Sequence, residues 1–410
     1  MKNILSGLAL VLMLPASTSW ADKLVIAGRD GAYGQALKIA AAAYREEHPD
    51  VEFEQLELNG SGLLEKVTIA MREKSSAYDV IMLDDPWAPE FMSKGWLANL
   101  DTLGGGVDDD FVAATRNVAR HPVGTGAYFA VPFVGNVEMF AYNKDILAQY
   151  GLAAPQKWTD VLAAAKKISE SGQGPSGLVF RGKKANPIVT GFLPILWAYG
   201  GDVINSDGQA VLDSENANAA LGMFLELAKY APKGVETYDA TEVRDALQQG
   251  STAISIEVWP AWVPSMDDPK TSKVPGQVEV MPAPGQNAGS TPMLGSWLVA
   301  VPETSANRER ARDFIDFLTS APMQKRLALE TGNPPTRASV YADPEILAAY
   351  RWYPGQYAAL QIAKPRPRTE KWAKIEAIIG DYLQLALIGE MKPADALAEA
   401  NQRIADAIAN

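Results

Sequence analysis

Asp79-Val80-Ile81-Met82-Leu83-Asp84-Asp85-Pro86 is the stretch on which the fold turns. An unbroken apolar run ended by paired acids and a proline describes a strand buried on both faces, as in a parallel sheet covered by helices. Working back from it, Leu63, Leu64, Val67, Ala70 and Met71 recur at helical spacing. Before them, Val51 to Leu58 reads as a strand in which Val51 and Phe53 alternate with glutamates. Leu37, Ala40, Ala41 and Tyr44 form an earlier helical stripe, preceded by a turn bracketed by Gly28, Gly31 and Gly34 and by an apolar strand at Lys23 to Ala27. Repetition of strand, helix and strand predicts a parallel α/β sheet with helices on its faces.

Working forward, strands are expected at Phe129 to Pro132 and Thr252 to Ile256, and helical stripes at Trp158 to Ile168, Ala217 to Tyr230 and Ala311 to Leu318. The last sixty or so residues read as helical. A helix over Lys371 to Leu387 is stopped by Gly389, and another begins with Pro393 in its first turn. The chain shows no repeat and no low-complexity linker, so passages between domains are expected to be ordered strands rather than a tether.

Composition narrows the function. A formal net charge of −12 and the absence of a basic run of five residues argue against nucleic acid and anionic membranes, which need clustered Lys and Arg. Lys2, the apolar run Ile4 to Leu14, the break at Pro15 and Ser19-Trp20-Ala21 read as a secretory leader cleaved after Ala21. With no cysteine in the chain, neither disulfides nor a lipid-anchoring thiol is available, which predicts an unanchored protein retained in a periplasm. His48 and His121, the two histidines, have no partner at metal-ligand spacing; both are read as structural, and no metal or cofactor is expected.

Several blocks resemble the extracellular solute-binding proteins of the maltose-binding type, which serve carbohydrate ABC importers. Lys23-Leu24-Val25-Ile26 with the following turn and Tyr33 is similar to the family's first strand and loop. The most specific block runs from Ala130-Val131-Pro132-Phe133 through Tyr142-Asn143-Lys144-Asp145 to Trp158-Thr159-Asp160-Val161-Leu162. Gly250 to Ile254 leading to Trp259-Pro260-Ala261-Trp262, then Leu294-Gly295-Ser296-Trp297, Ala311 to Ser320 with Gln324, and Gly389 to Leu397 complete the pattern in order. The resemblance implies a two-lobed periplasmic binding protein fold of type II. Each lobe would be a mainly parallel sheet flanked by helices, and the two would be joined by crossing hinge segments. By analogy, 1–21 is the leader, 22–133 with 299–343 is lobe 1, and 139–292 with 351–410 is lobe 2; the hinges fall near 134–138, 293–298 and 344–350. It further implies a monomer that binds a sugar or sugar alcohol, closes about its hinge and is recognised by membrane permease subunits, without catalysis.

A neutral polyol offers weakly apolar C–H faces and hydroxyls that both donate and accept, so its site needs aromatic platforms beside Asp, Glu and Asn at a cleft rim. Asp84 and Asp85 end a buried strand at its carboxyl end, where open α/β sheets bind ligands; the expectation is that one caps a helix before Pro86 while Asp85 faces the cleft with Trp87. Asn136 falls where maltose-binding members carry a ligand-contacting acid, a departure that speaks against a maltodextrin. Glu138, on the same strand face, either contacts ligand or braces the hinge. Glu257 and Trp259 are expected just beyond the end of their strand, as an exposed acid beside an aromatic. Gly295 would let backbone N–H groups approach a hydroxyl, Ser296 would add a second small residue and Trp297 would stack on the ligand. Asp30 either receives a hydroxyl or solvates its loop. The run Lys364-Pro365-Arg366-Pro367-Arg368 reads as a solvated extended segment, from which Arg366 or Arg368 could instead reach an anionic group.

Other cargo stays open at this point: a polyamine, or a phosphorylated or acidic sugar. An iron chelate is opposed by the lack of adjacent tyrosines. A secreted glycoside hydrolase would need two carboxyl groups at defined separation, and Asp85, Glu138 and Glu257 are available; the resemblance opposes it.

Overall fold

The computed structural model describes residues 22–104, 106–172 and 174–409; the expected leader lies outside them. Its strands are β1 (Asp22–Arg29), β2 (Val51–Leu58), β3 (Val80–Asp84), the short hairpin β4 (Arg120–His121) and β5 (Ala127–Tyr128), then β6 (Val131–Val134), β7 (Met139–Asn143), β8 (Ile254–Val258), β9 (Val278–Met281) and β10 (Trp297–Ala300). They form two separate α/β bodies, as expected. The first is a five-stranded sheet in the order β2-β1-β3-β10-β6, and the second a three-stranded sheet in the order β8-β7-β9.

β1 lies parallel to β2 in register from Asp22 opposite Val51 to Arg29 opposite Leu58, and parallel to β3 on its other edge. Val80 to Leu83 are fully buried, the outcome their continuous apolar character demands. The helix Gly31–Glu47 covers this sheet with Ala36, Leu37, Ala40, Ala41 and Tyr44. In the second body the helix Asn186–Ala198 is buried from Ile188 to Ala198, on every face, as suits a central helix. Trp158, Phe180, Phe192, Phe224 and Trp372 pack into that body's core.

Neither sheet is the mainly parallel one expected: two of the four strand pairings in the first and both in the second are antiparallel, and the antiparallel strands follow a rule. β10 runs antiparallel to β3 and β6, and β7 runs antiparallel to β8 and β9. Each is the strand the chain enters immediately after passing from one body to the other. The other strands end at the face between the bodies, so a strand that starts there must run the opposite way.

Most expected helices are present, at Trp158–Ser169, Glu215–Ala228, Arg308–Leu318, Trp372–Leu387 and Pro393–Ala409. Two strands are displaced by two residues from expectation: β6 starts at Val131, and β8 at Ile254. Among the described residues no helix is long and apolar enough to cross a membrane.

Candidate functional site

Three extended segments run side by side between the bodies. Val137 pairs antiparallel with Leu294; the Glu138 N–H donates to the Met293 carbonyl at 2.9 Å and the Gly295 N–H to the Asn136 carbonyl at 3.0 Å. A third segment joins them through Lys364, whose N–H donates to the Pro292 carbonyl and whose carbonyl accepts from the Leu294 N–H, both at 2.9 Å. Pro365 and Pro367 fix φ on either side of Arg366 and hold this segment extended.

The carboxyl end of β3 meets that third segment. Arg366 donates from Nη2 to Asp84 Oδ1 at 3.0 Å and to Asp85 Oδ2 at 3.2 Å. Arg368 Nη1 donates to the Asp85 carbonyl and reaches its Oδ1 at 3.4 Å, while Nη2 donates to the Val118 carbonyl. Asp85 is fully buried and Arg366 is 3% exposed. Burial pushes the Asp85 carboxyl up to about 6 against the pull of Arg366 and Arg368, with neighbouring Asp84 pushing the same way. Glu376 stands 4.0 Å from Arg366 and accepts from Asn186 Nδ2 at 2.9 Å.

A second ion pair faces it from the other body. Arg181 donates its backbone N–H to Glu257 Oε1 at 2.9 Å, and its Nε and Nη2 to Oε2 at 2.9 and 2.8 Å. Thr190 bonds the same guanidinium, and Asp239 lies 3.8 Å from it. Glu257 is wholly buried.

Between the two pairs stands Glu138, 1% exposed, with neither carboxylate oxygen accepting a hydrogen bond. Burial holds its carboxyl well above the usual range; the charge of Glu257 adds to this, and Arg181 and Arg366 oppose it. Asn136 Oδ1 and Arg366 Nε are likewise buried and unpartnered. Two acceptors from one acid, a third from an amide and one guanidinium donor therefore lie unmatched along the crossing segments.

Indoles wall this space. Trp297 meets Trp87 edge to face at 5.3 Å and Tyr33 at 6.3 Å, with the Arg29 guanidinium 4.8 Å from its ring centre. Trp259 sits against Gly295, where a β-carbon would lie 2.5 Å from its Cζ3. Arg181 stands 5.8 Å from the Trp259 ring and 5.7 Å from that of Trp262.

The structure thus gathers Asp85, Trp87, Asn136, Glu138, Glu257, Trp259, Gly295, Ser296, Trp297 and Arg366 around one region, but changes several expected roles. Neither Asp84 nor Asp85 caps a helix: the following helix, Ala88–Ser93, has Trp87 at its N-cap without a side-chain cap. Asp85 does not stand free at a cleft rim but neutralises two arginines. Glu257 is not exposed beyond its strand; it lies inside β8, buried and paired. The Gly295 N–H is taken by Asn136, and what the missing side chain admits is the Trp259 ring. Ser296 is buried and its hydroxyl donates to the Val134 carbonyl at 2.9 Å, tying two crossings together. Trp297, 5% exposed, is a packed wall rather than an open platform. The segment 364–368 is extended as expected but not solvated, because its cations meet buried acids. Asp30 is exposed, and Arg29 Nε reaches its Oδ1 only at 3.5 Å. His48 stacks on Tyr44 at 4.2 Å.

Arg181 escaped the sequence reading. Its one signal was a charge closing the apolar run Leu178-Val179-Phe180, and its partner lies far along the chain. Arg29 and Glu376 were missed for the same reason.

The family described as bacterial extracellular solute-binding protein matches residues 28–325. A probable ABC transporter-binding protein of Deinococcus radiodurans is 29% identical over 317 residues, 74% of this chain and 73% of that one. A mannitol-binding protein of Pseudomonas aeruginosa is 25% identical over 97% of this chain and 95% of its own. Among solved structures, maltose-bound MalE3 of T. maritima superposes with a TM-score of 0.82 at 29% identity, covering 94% of this chain and 99% of the other.

Proposed function

The chain belongs to the bacterial extracellular solute-binding proteins, and from that premise we propose that it captures an uncharged, hydroxyl-rich solute, a sugar or sugar alcohol, between its two bodies. Lobe closure would then present the loaded protein to the membrane subunits of an ABC importer. The reading rests on one observation: buried, unpartnered Glu138 Oε1 and Oε2, Asn136 Oδ1 and Arg366 Nε converge on the crossing segments. A buried polar atom without a partner costs about 1–3 kcal/mol, and a hydroxyl, which donates and accepts at once, relieves both kinds. An anionic substituent would instead have to compete with Asp84, Asp85 and Glu257 for the same guanidinium groups. The mannitol-binding relative and the maltose-bound neighbour support the same class of solute.

On this reading lobe 1 comprises 22–133 with 299–343 and lobe 2 comprises 139–292 with 351–410. Tyr350, whose hydroxyl donates to the Ala328 carbonyl, and Arg351, paired with Asp267 and Glu279, sit at the third passage and support a boundary there. The leader 1–21 would send the chain to the periplasm, where it acts as a monomer without turnover. Titration calorimetry against sugars, polyols, sugar acids and polyamines tests this. One neutral polyhydroxyl compound should bind one to one and be recovered unchanged by chromatography. Binding confined to an anion or amine, or recovery of a cleaved product, would overturn it.

A further inference from the structure

Given capture of a polyhydroxyl solute, ring-closed and open-chain forms make different demands. A pyranose presents a flat C–H face and gains most from an open aromatic face. An open-chain polyol has no such face and presents successive hydroxyls along a narrow backbone, each wanting a donor or an acceptor. Whether the indoles have free faces therefore decides which form the cleft fits.

Trp297 is covered, while Trp87, Trp259 and Trp262 are half-buried with a neighbour against part of each ring. Trp297 is 5% exposed, with the Arg29 guanidinium over its ring, Trp87 against it at an interplanar angle of 84° and Tyr33 beside it. Trp259 has the Cζ3–Cη2 edge of its ring pressed onto Gly295, and shares the Arg181 guanidinium with Trp262. Arginine at these distances from a ring is itself attracted to the π face, so a sugar ring would have to displace a cation to stack there. The unmatched groups, by contrast, are polar and follow an extended line. Asn136 and Glu138 are two residues apart on one crossing segment and so share a face, with Arg366 on the segment that flanks the far side of Met293 and Leu294.

We propose that this cleft selects an acyclic polyol over the ring-closed sugar of the same hydroxyl configuration, and that the guanidinium groups of Arg29 and Arg181 exclude the ring by covering the indoles. This inference rests on the capture reading above, and the test separates the two. Matched pairs isolate ring closure: D-glucitol against methyl α-D-glucopyranoside, D-mannitol against methyl α-D-mannopyranoside, and ribitol against methyl β-D-ribopyranoside, the methyl group locking each ring. Titrated into the purified chain, the polyol of any pair that binds should be tighter by about tenfold or more. A pyranoside binding equally well or better, or binding by cyclic sugars alone, would overturn the inference while leaving capture intact. Silence from every polyol and sugar would remove the capture reading itself. Arg29→Ala uncovers Trp297 and should raise pyranoside affinity, narrowing the ratio; an unchanged ratio would show that the arginine cover is not what excludes the ring.

Discussion

Asp85 and Glu138 are both buried acids, yet they do opposite things. Asp85 compensates two arginines, and removing it leaves those cations in a dry site. Asp85→Ala is expected to lower the unfolding free energy by roughly 3–5 kcal/mol, the usual cost of breaking a buried pair from one side. Asp30→Ala, at an exposed position, should stay within about 0.5 kcal/mol of the parent; urea unfolding measures both. Glu138 compensates nothing in the described residues. Glu138→Gln should weaken binding of the cognate solute roughly tenfold, because the amide replaces one of the two carboxyl oxygens with an NH2 that can only donate. It should also change the pH dependence of the unliganded protein. The Glu138 carboxyl is held above its unfolded value, so the folded state keeps its proton more tightly. Its stabilising contribution is complete below about pH 4 and is lost as the pH rises through the raised value. The advantage of the Glu138→Gln variant over the parent should therefore grow with pH in thermal melts from pH 4 upward; a constant difference would contradict the burial argument.

At the scale of elements, helices were easier to read than strands. The stripes of Trp158 to Ile168 and Ala311 to Leu318 predict helices ending within a few residues of those observed, because a face of core residues at helical spacing identifies itself. β6 and β8 were misplaced by two residues, because apolar residues continue past both ends and no alternation fixes where pairing starts. That small slip mattered: it left Glu257 outside its strand and exposed, when it lies within and buried. The second crossing segment has its own test. A β-carbon at Gly295 would stand 2.5 and 2.9 Å from Trp259 Cζ3 and Cη2, so Gly295→Ala must displace the indole. It should cost about 1–3 kcal/mol and weaken binding, as overpacking does. Gly222→Ala, inside the helix Glu215–Ala228 with open space around it, should instead be neutral or stabilising by up to about 1 kcal/mol. Calorimetric melting of the two variants compares them directly.

At the scale of the whole molecule, the sequence by itself determined the α/β class, and its resemblance to a family the two-bodied plan, while helices such as Asn186–Ala198, Ala240–Gln249 and Tyr353–Gln361 went unread. The sequence also supplied most of the polar and aromatic residues from which a site for a neutral solute is proposed. The class follows from local periodicity and composition, and the two-bodied plan from short ordered motifs that resemble those of a family. Only the tertiary structure decided which of those residues are free. Asp85 and Arg366 are 281 positions apart, and Arg181 and Glu257 are 76 apart. No local pattern announces such pairings, because a charge reads the same along the chain whether it will meet water, a counter-ion or nothing. The segment 364–368 shows the same limit: prolines predicted its extension, but its burial depends on Asp84 and Asp85 arriving from the first sheet. A polar side chain's role is set by what else occupies its surroundings after folding, and that is fixed by long-range packing rather than by neighbours in sequence.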